Sequence, residues 1–154
     1  MDSMTARDIM KADVVTIGPT ATVRELAELL STHEISGVPV VNESGDLVGV
    51  VTEGDVILQD ADLHFPHYLQ FLDSIIYLES VRKFEERFRK TFGNRVADVM
   101  STDVVTVSPD ASIHEVTTLM ADNGVNRVPV LEEGRLVGII TRGDVVRAIA
   151  GRAG

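Results

Sequence analysis

The chain has 154 residues, of which 44% are hydrophobic and 25% are charged, and it carries a formal net charge of −10. This composition indicates a folded globular protein, and the length allows one ordinary domain or two small ones. The acidic balance argues against a nucleic-acid partner, because affinity for phosphate backbones comes largely from clustered Lys and Arg. The sequence contains no cysteine, which excludes disulfides and thiol chemistry. It also shows no signal peptide and no apolar run of membrane-spanning length, so we expect a cytoplasmic protein without a membrane partner.

Two parts of the chain are similar to each other in sequence. The matching segments, in chain order, are Asp8-Ile9-Met10 with Asp98-Val99-Met100, Val14-Val15-Thr16 with Val104-Val105-Thr106, Val38-Pro39-Val40 with Val128-Pro129-Val130, and Leu47-Val48-Gly49 with Leu136-Val137-Gly138. A repeated order of motifs indicates neighbouring copies that bury a shared core. We therefore predict two pseudo-symmetric copies in one body, because a copy of about fifty residues buries too little apolar surface alone.

Each copy shows the pattern of a strand, a helix, two further strands and a final helix. The predicted first and second strands are residues 14–17 and 38–41 in one copy and 104–107 and 128–131 in the other. Capping-box spacings predict that the first helices begin after Thr22 and Ser112. Gly45 and Gly134 favour hairpin turns between the last two strands. Each copy is therefore predicted to be a βαββα module.

The segment between the copies has a different character. We divide the chain into a first repeat with its lead-in at 1–61, an insertion at 62–93 and a second repeat at 94–154. The insertion holds every aromatic residue of the chain, and its apolar spacing predicts two amphipathic helices. These helices either cover the core or form a dimer contact or a lid over a ligand cleft. His64 and His67 lie near acidic residues, but Pro66 breaks the helical register, so we predict no metal site.

The last strand of each copy ends in a Thr-x-Gly-Asp segment. Thr52 and Asp55 form this segment in the first copy, and Thr141 and Asp144 form it in the second. The spacing is that of a capping box at the start of a helix, which is one complete explanation. The alternative is a ligand site, because a helix N-terminus offers free N–H groups and a positive dipole end to a phosphate. The Asp carboxylate could then accept from the paired hydroxyls of a ribose.

These motifs together make the chain resemble a known family, the tandem CBS-domain pair or Bateman module. The resemblance rests on Asp-Ile/Val-Met at the entry of each copy, Val-Val-Thr in the first strand, Val-Pro-Val in the second, and Leu-Val-Gly-[VI]-[VI]-Thr-x-Gly-Asp at the close. It covers about residues 5–60 and 95–150. It implies an α/β (α+β) fold of two pseudo-symmetric βαββα CBS repeats packed through their sheets, with the helical segment inserted between them.

Members of this family typically bind adenosine-containing ligands in clefts between the two repeats. The resemblance therefore implies AMP, ADP or ATP as the ligand, with S-adenosylmethionine as an alternative and no required cofactor. One implied cleft combines Thr52 and Asp55 with Asn126, Arg127, Val128 and Pro129 of the opposite repeat. The other combines Thr141 and Asp144 with Ser36, Gly37, Val38 and Pro39. The implied contacts with adenine are Ile17, Gly18, Val107 and Ser108.

The two Thr-x-Gly-Asp segments differ in charge. Glu53 follows Thr52, whereas Arg142 follows Thr141. Arg142 can add a phosphate contact, whereas Glu53 opposes further negative charge, so we predict unequal affinities and more tolerance of polyphosphate in the cleft of Asp144. The alternative is that both side chains point into solvent.

Three classes of function are compatible with this pattern. The first is a regulatory module that binds an adenine nucleotide, forms the homodimer usual in the family and signals to an effector protein. The second is a structural module with empty clefts, in which the Thr and Asp residues only cap helices. The third is a phosphotransfer or nucleotide-hydrolysing enzyme. We disfavour an enzyme and predict no catalytic residues, because the sequence contains no Gly-x-x-x-x-Gly-Lys loop, Gly-x-Ser-x-Gly elbow or His-Glu-x-x-His motif.

Overall fold

The computed structural model describes residues 4–60 and 95–153. The first repeat contains α1 (Ala6–Ile9), α2 (Val23–His33), β1 (Gly37–Val41), β2 (Leu47–Thr52) and α3 (Glu53–Asp60). The second repeat contains α4 (Val96–Val99), α5 (Ile113–Asn123), β3 (Arg127–Glu132), β4 (Arg135–Thr141) and α6 (Arg142–Ala153). The helical insertion predicted at 62–93, with its two histidines, lies outside the described residues.

The two hairpins form where the sequence predicts them. β1 pairs with β2, and β3 pairs antiparallel with β4, with Val128 opposite Ile140. Gly45 and Gly134 adopt φ angles of 86° and 80° in the two turns. This is the left-handed region, which glycine enters without a steric penalty and other residues rarely adopt.

The predicted caps begin both long helices. The Thr22 hydroxyl accepts from the Glu25 N–H at 3.0 Å, and the Glu25 carboxylate accepts from the Thr22 N–H at 3.1 Å. Ser112 accepts from the Glu115 N–H at 3.0 Å in the same way. These bonds satisfy donors that have no partner within a helix, which is why α2 and α5 begin where they do.

The first strand of each repeat is shorter than expected and is reduced to one parallel bridge. The Val107 N–H donates to the Pro129 carbonyl at 3.1 Å, and the Leu131 N–H donates to the Val107 carbonyl at 2.9 Å. The next bond of a parallel ladder would need an N–H from Pro129, which a proline lacks, so the strand cannot extend. Ile17 and Pro39 show the same arrangement, with Ile17 donating at 3.2 Å.

The described chain forms two compact units. Unit 1 contains the described residues within Met1–Thr16, Val41–Gly49 and Thr102–Gly154, and unit 2 contains those within Ile17–Val40 and Val50–Ser101. Unit 1 therefore contains α1 of the first repeat, whose Ala6 N–H donates to the Ala111 carbonyl at 2.8 Å. Unit 2 contains α4 of the second repeat, whose Val96 N–H donates to the Ala21 carbonyl at 2.8 Å. Each unit thus joins the body of one repeat to the lead-in helix of the other.

Each unit has its own apolar core. In unit 1 the buried cluster is Ala6, Val107, Ala111, Val116, Met120, Val128, Val130, Ile140 and Val145. In unit 2 the buried apolar side chains include Leu26, Leu30, Val38, Val40, Val51 and Val96. Burying a Val, Leu or Ile side chain contributes about 1.5–3 kcal/mol, so the continuous burial of both Val-Pro-Val segments stabilises the hairpins. The hairpins in turn fix where α3 and α6 begin.

Candidate functional site

Asp144 lies at the start of α6, directly after β4. Its Oδ2 accepts from the Thr141 backbone N–H and from the Thr141 hydroxyl, both at 2.9 Å. The Thr141 hydroxyl oxygen accepts in return from the Asp144 N–H at 3.3 Å. The capping box predicted from the sequence is therefore present, and the carboxylate is held rigidly at the helix N-terminus.

The second oxygen of the same carboxylate faces two cations. The Arg147 guanidinium donates to Asp144 Oδ1 at 2.6 Å, and the Lys11 ammonium lies 3.9 Å from the same oxygen. Asp144 is only 7% exposed. Burial raises the pKa of this carboxyl, but the bonds from Thr141 and Arg147 and the charge of Lys11 outweigh it and lower the pKa. Asp144 is therefore ionised at neutral pH.

A backbone bridge brings Lys11 to this carboxylate. The Lys11 N–H donates to the Ile139 carbonyl at 2.9 Å, and the Ile139 N–H donates to the Lys11 carbonyl at 3.0 Å. Because Ile139 lies two residues before Thr141 on β4, the pairing carries the lead-in segment past the start of α6. We name the group of Lys11, Thr141, Asp144 and Arg147 the Asp144 site.

Gly143 leaves the space that the Arg147 side chain occupies. A Cβ atom on Gly143 would lie 3.2 Å from Arg147 Nη1, which is tighter than an ordinary van der Waals contact. The guanidinium is therefore folded back over the first turn of α6, toward the helix N-terminus, although most of the side chain is exposed.

The equivalent site in the first repeat has a similar cap and different neighbours. The Thr52 N–H and hydroxyl donate to Asp55 Oδ2 at 2.8 and 3.3 Å. Ser101 pairs with Val50 as Lys11 pairs with Ile139, and Leu58 occupies the place of Arg147 in α3. In the described part of the chain no cation pairs with Asp55. We name the group of Thr52, Asp55, Leu58 and Ser101 the Asp55 site.

The segment before each Val-Pro-Val strand lies beside the helix start of its own repeat. The Arg142 N–H donates to the Asn126 carbonyl at 2.8 Å, and the Glu53 N–H donates to the Ser36 carbonyl at 2.8 Å. Each of these carbonyls satisfies a free N–H in the first turn of its helix. Ser36 and Asn126 are therefore neighbours of the two sites within their own units.

The predicted site residues divide between the two units. Unit 1 contains Asn126, Arg127, Val128, Pro129, Thr141, Arg142, Asp144, Val107 and Ser108. Unit 2 contains Thr52, Asp55, Ser36, Gly37, Val38, Pro39, Ile17 and Gly18. Each implied cleft combines residues of both units, and those combinations stay a prediction. Within the units, the structure brings together the motifs of one repeat.

The sequence analysis did not identify Lys11 and Arg147 as residues of the Asp144 site. A signal for both was present, because aligning the two copies places Lys11 opposite Ser101 and Arg147 opposite Leu58. Only the charge difference at Arg142 was used, and the Arg142 side chain is exposed. Lys11 could not be placed without the structure, because it reaches the site from the lead-in of the other repeat.

A cavity of about 450 Å³ lies beside the Asp55 site, between α2 and α3 of unit 2. Its lining residues are Ala27, Leu30, Ser31, Glu34, Ile35, Ser36, Glu53, Val56 and Ile57. Its lining includes Ser36 but neither Thr52 nor Asp55, so this cavity does not contain the capping carboxylate.

Residues 4–60 and 95–153 lack two other features. No cluster of three His, Cys, Asp or Glu side chains there could hold a metal ion. No helix in these ranges is long and apolar enough to cross a bilayer.

Comparison with known proteins decides the family. The family model of the CBS domain matches residues 6–62 and 96–151, with one match for each repeat. The chain belongs to the CBS-domain family. This confirms the resemblance drawn from the motifs, and CBS pairs of known structure confirm the mixed α/β fold.

Several relatives match most of the chain. The uncharacterized protein MJ1426 of Methanocaldococcus jannaschii is 32% identical over 154 residues, which cover 95% of this chain and 91% of that protein. The chloroplastic CBS domain-containing protein CBSX1 of Arabidopsis thaliana is 33% identical over 147 residues. That match covers 90% of this chain and 60% of CBSX1.

Solved structures with this fold include complexes with adenosyl compounds. The crystal structure of CBSX2 in complex with AMP has a TM-score of 0.79 and 26% sequence identity, and the match covers 97% of this chain and 98% of that chain. The CBS pair of protein MJ0100, in complex with 5′-methylthioadenosine and S-adenosyl-L-methionine, has a TM-score of 0.71. Its sequence identity is 22%, with 98% of this chain and 99% of that chain covered, so that likeness concerns the fold.

Proposed function

We propose that this protein is a regulatory CBS pair that binds an adenine nucleotide of the AMP, ADP or ATP class at the Asp144 and Asp55 sites. The observation that carries the proposal is the ionised, buried carboxylate of Asp144, fixed at a helix N-terminus within a family in which CBSX2 has been solved with AMP. The second copy of the cap at Asp55 supports a second site.

The chemistry of an adenine nucleotide fits these groups. A carboxylate can accept from both hydroxyls of a ribose, as the resemblance implies for Asp55 and Asp144. A phosphate needs N–H donors and cations, which the N-termini of α3 and α6 and Arg142 supply. A purine needs apolar walls, which the residues around Ile17 and Val107 supply. The proposed clefts are those implied by the family, with each Thr-x-Gly-Asp segment facing the Val-Pro segment of the other repeat.

Regulation requires that the nucleotide prefers one arrangement of the protein. A ligand with equal affinity for two conformations shifts neither population, however tightly it binds. We propose that occupancy is read by a second copy of the chain in a cytoplasmic homodimer or by an effector protein. Analytical ultracentrifugation with and without nucleotide tests the homodimer.

We infer that the chain binds its ligand without turning it over. Inosine-5′-monophosphate dehydrogenase of Methanocaldococcus jannaschii is 32% identical over 143 residues, but the match covers only 23% of that enzyme. CBS repeats can therefore form a small part of an enzyme, and their presence does not by itself imply catalysis. Incubation with ATP and Mg²⁺, followed by nucleotide analysis, should show no product.

The alternative is a structural module with empty clefts. It is favoured by one specific observation, namely that the N–H and hydroxyl of Thr52 and of Thr141 donate to the Asp carboxylate of the same segment, as helix caps do. Binding of S-adenosylmethionine in place of a nucleotide is the remaining alternative. The titration described below distinguishes both alternatives from nucleotide binding.

The deciding experiment is isothermal titration of the protein with AMP, ADP, ATP and S-adenosylmethionine, repeated on Asp55→Ala and Asp144→Ala. We expect saturable nucleotide binding that is lost stepwise in the two variants. Glu25→Ala is the matched control, because it removes the carboxylate of a capping box outside both sites. If folded protein binds none of the four compounds, the structural module takes first place. Binding of S-adenosylmethionine alone would replace the nucleotide.

A further inference from the structure

The Asp144 and Asp55 sites differ at two positions that change the local charge in the same direction. Arg147 and Lys11 both contact the Asp144 carboxylate. The equivalent residues at the Asp55 site are Leu58 and Ser101, which carry no charge. The two cations come from different parts of the chain, so a single substitution does not account for the difference.

The Arg147 guanidinium occupies an oxygen that the proposed ligand needs. Asp144 Oδ2 already accepts two bonds from Thr141, and Oδ1 accepts from Arg147 at 2.6 Å. A ribose that binds the carboxylate through both hydroxyls must compete with Arg147 for Oδ1. At the Asp55 site the described residues place no cation on the carboxylate, so no such competition arises there.

Arg147 brings a positive charge back to the first turn of α6, where its i,i+3 ion pair with Asp144 stabilises the helix. A helix N-terminus carries partial positive charge and favours anions, whereas Arg147 reaches back over Gly143 into the first turn of α6. In this structure the negative charge of Asp144 balances the positive charge of Arg147. A bound anion would complement the Arg147 guanidinium and the Lys11 ammonium at once.

We propose that Arg147, supported by Lys11, makes the Asp144 site selective for phosphorylated adenosyl ligands, because it leaves the Asp144 carboxylate only when a phosphate takes its place. This inference rests on the proposed function. A neutral nucleoside must break the ion pair without replacing it, whereas a nucleotide breaks it and offers its own phosphate to the guanidinium. Arg147 therefore links ribose binding at the Asp144 carboxylate to phosphate binding at its own guanidinium.

The Asp55 site is expected to show less of this selectivity. Its equivalent residues Leu58 and Ser101 are neutral and leave the carboxylate open to a ribose, and Glu53 adds a negative charge at the helix start. The proposed cleft places Arg127 opposite Asp55, so AMP can still bind there, but without displacing an ion pair. We therefore expect a smaller preference for AMP over adenosine at the Asp55 site than at the Asp144 site. The chain would respond to the phosphorylation state of its ligand through unit 1.

The test compares adenosine with AMP on the full chain by isothermal titration, in an Asp55→Asn background that weakens the other site. Arg147→Leu installs the residue of the other repeat. We expect it to reduce the preference for AMP over adenosine by about tenfold, because a charge-assisted bond to phosphate is lost. Adenosine affinity should hold or rise, because its ribose no longer competes with an ion pair.

Two further variants separate selectivity from folding. Arg147→Lys keeps the charge and should keep most of the preference for AMP, and Lys11→Ser should reduce it. Thermal unfolding identifies variants that do not fold. A structural role of Arg147 would lower both affinities together, and that result overturns the inference.

The remaining outcomes are also decisive. If both ligands bind and Arg147→Leu leaves their ratio unchanged, the inference fails while the proposed function stands. If neither adenosine nor AMP binds the folded wild-type chain, the inference fails, and the proposed function fails with it when ADP and ATP do not bind either. Conversion of the other site by Leu58→Arg, in an Asp144→Asn background, should increase its preference for AMP over adenosine.

Discussion

The Met10 side chain lies directly against the backbone of Gly138, so that a Cβ atom on Gly138 would overlap the Met10 Sδ and Cγ atoms. Gly138 is buried on β4, and Met10 follows α1 at the end of the first lead-in. This contact links the Asp-Ile-Met motif at one end of the chain to the Leu-Val-Gly motif at the other, and both belong to unit 1.

We expect Gly138→Ala to destabilise the protein by about 1–3 kcal/mol, because the added methyl group forces the Met10 side chain out of its place. Urea denaturation measures the change. Gly151→Ala is the control, because no atom lies within 4 Å of a Cβ at that helical position. Met10→Ala combined with Gly138→Ala should cost less than the sum of the single changes. Simple additivity would contradict the contact.

The caps of α2 and α5 should both contribute to stability. Removing the side-chain acceptor by Thr22→Ala or Ser112→Ala should lower the free energy of unfolding by about 1 kcal/mol, since an N–H of the first turn loses its partner. The two caps differ in their second hydrogen bond, because the Glu25 carboxylate also accepts from the Thr22 N–H. Glu25→Ala should therefore destabilise more than Glu115→Ala. Equal effects of the two glutamate changes would count against the reciprocal bond.

The stability of the protein should depend on the ionisation of Asp144 in acid. Burial raises the pKa of Asp144, but Thr141, Arg147 and Lys11 hold the net pKa below its ordinary value of 3.8. A depressed pKa in the folded state contributes stability that is present above the unfolded-state pKa of about 3.9 and is lost as pH falls through the folded-state pKa.

The stability difference between wild type and Asp144→Asn should therefore shrink as pH falls from neutral to below about 3.9. Urea denaturation at a series of pH values measures it. Asp122→Asn serves as a control for general charge effects, because Asp122 is exposed on α5. A difference that stays constant across this range would show that the carboxylate is not stabilised in the folded state.

The insertion should mediate self-association if its aromatic residues form an interface. Aromatic side chains are enriched at subunit contacts, and the insertion holds all of those in the chain. Deleting residues 62–91 should therefore lower the molar mass measured by light scattering. An unchanged oligomer after deletion would assign these residues another role.

The local features of the fold could be predicted from the sequence. The caps at Thr22 and Ser112 and the turns at Gly45 and Gly134 formed as predicted, because each depends on residues only a few positions apart. The first strands were predicted too long, because the Val-rich pattern does not show that Pro129 leaves the ladder without a donor.

The surroundings of the candidate site could be predicted only in part. The motifs identified Asp144 and its cap, because Thr141 is close in sequence. Lys11 reaches Asp144 only through its pairing with Ile139, far away in the chain. The sequence shows Arg147 where the first repeat has Leu58. Its role at the site could not be predicted, because the contact between its guanidinium and the Asp144 carboxylate is known only from the structure.

The exchange of lead-in helices sets an order for folding during synthesis. Unit 2 ends at Ser101, so all of its residues are translated before most of the second repeat. α1 is translated before unit 2 but bonds to Ala111, and its unit is complete only with the C-terminal segment. The carbonyl to which α1 bonds is therefore synthesised only after unit 2, so α1 stays undocked until the second repeat follows.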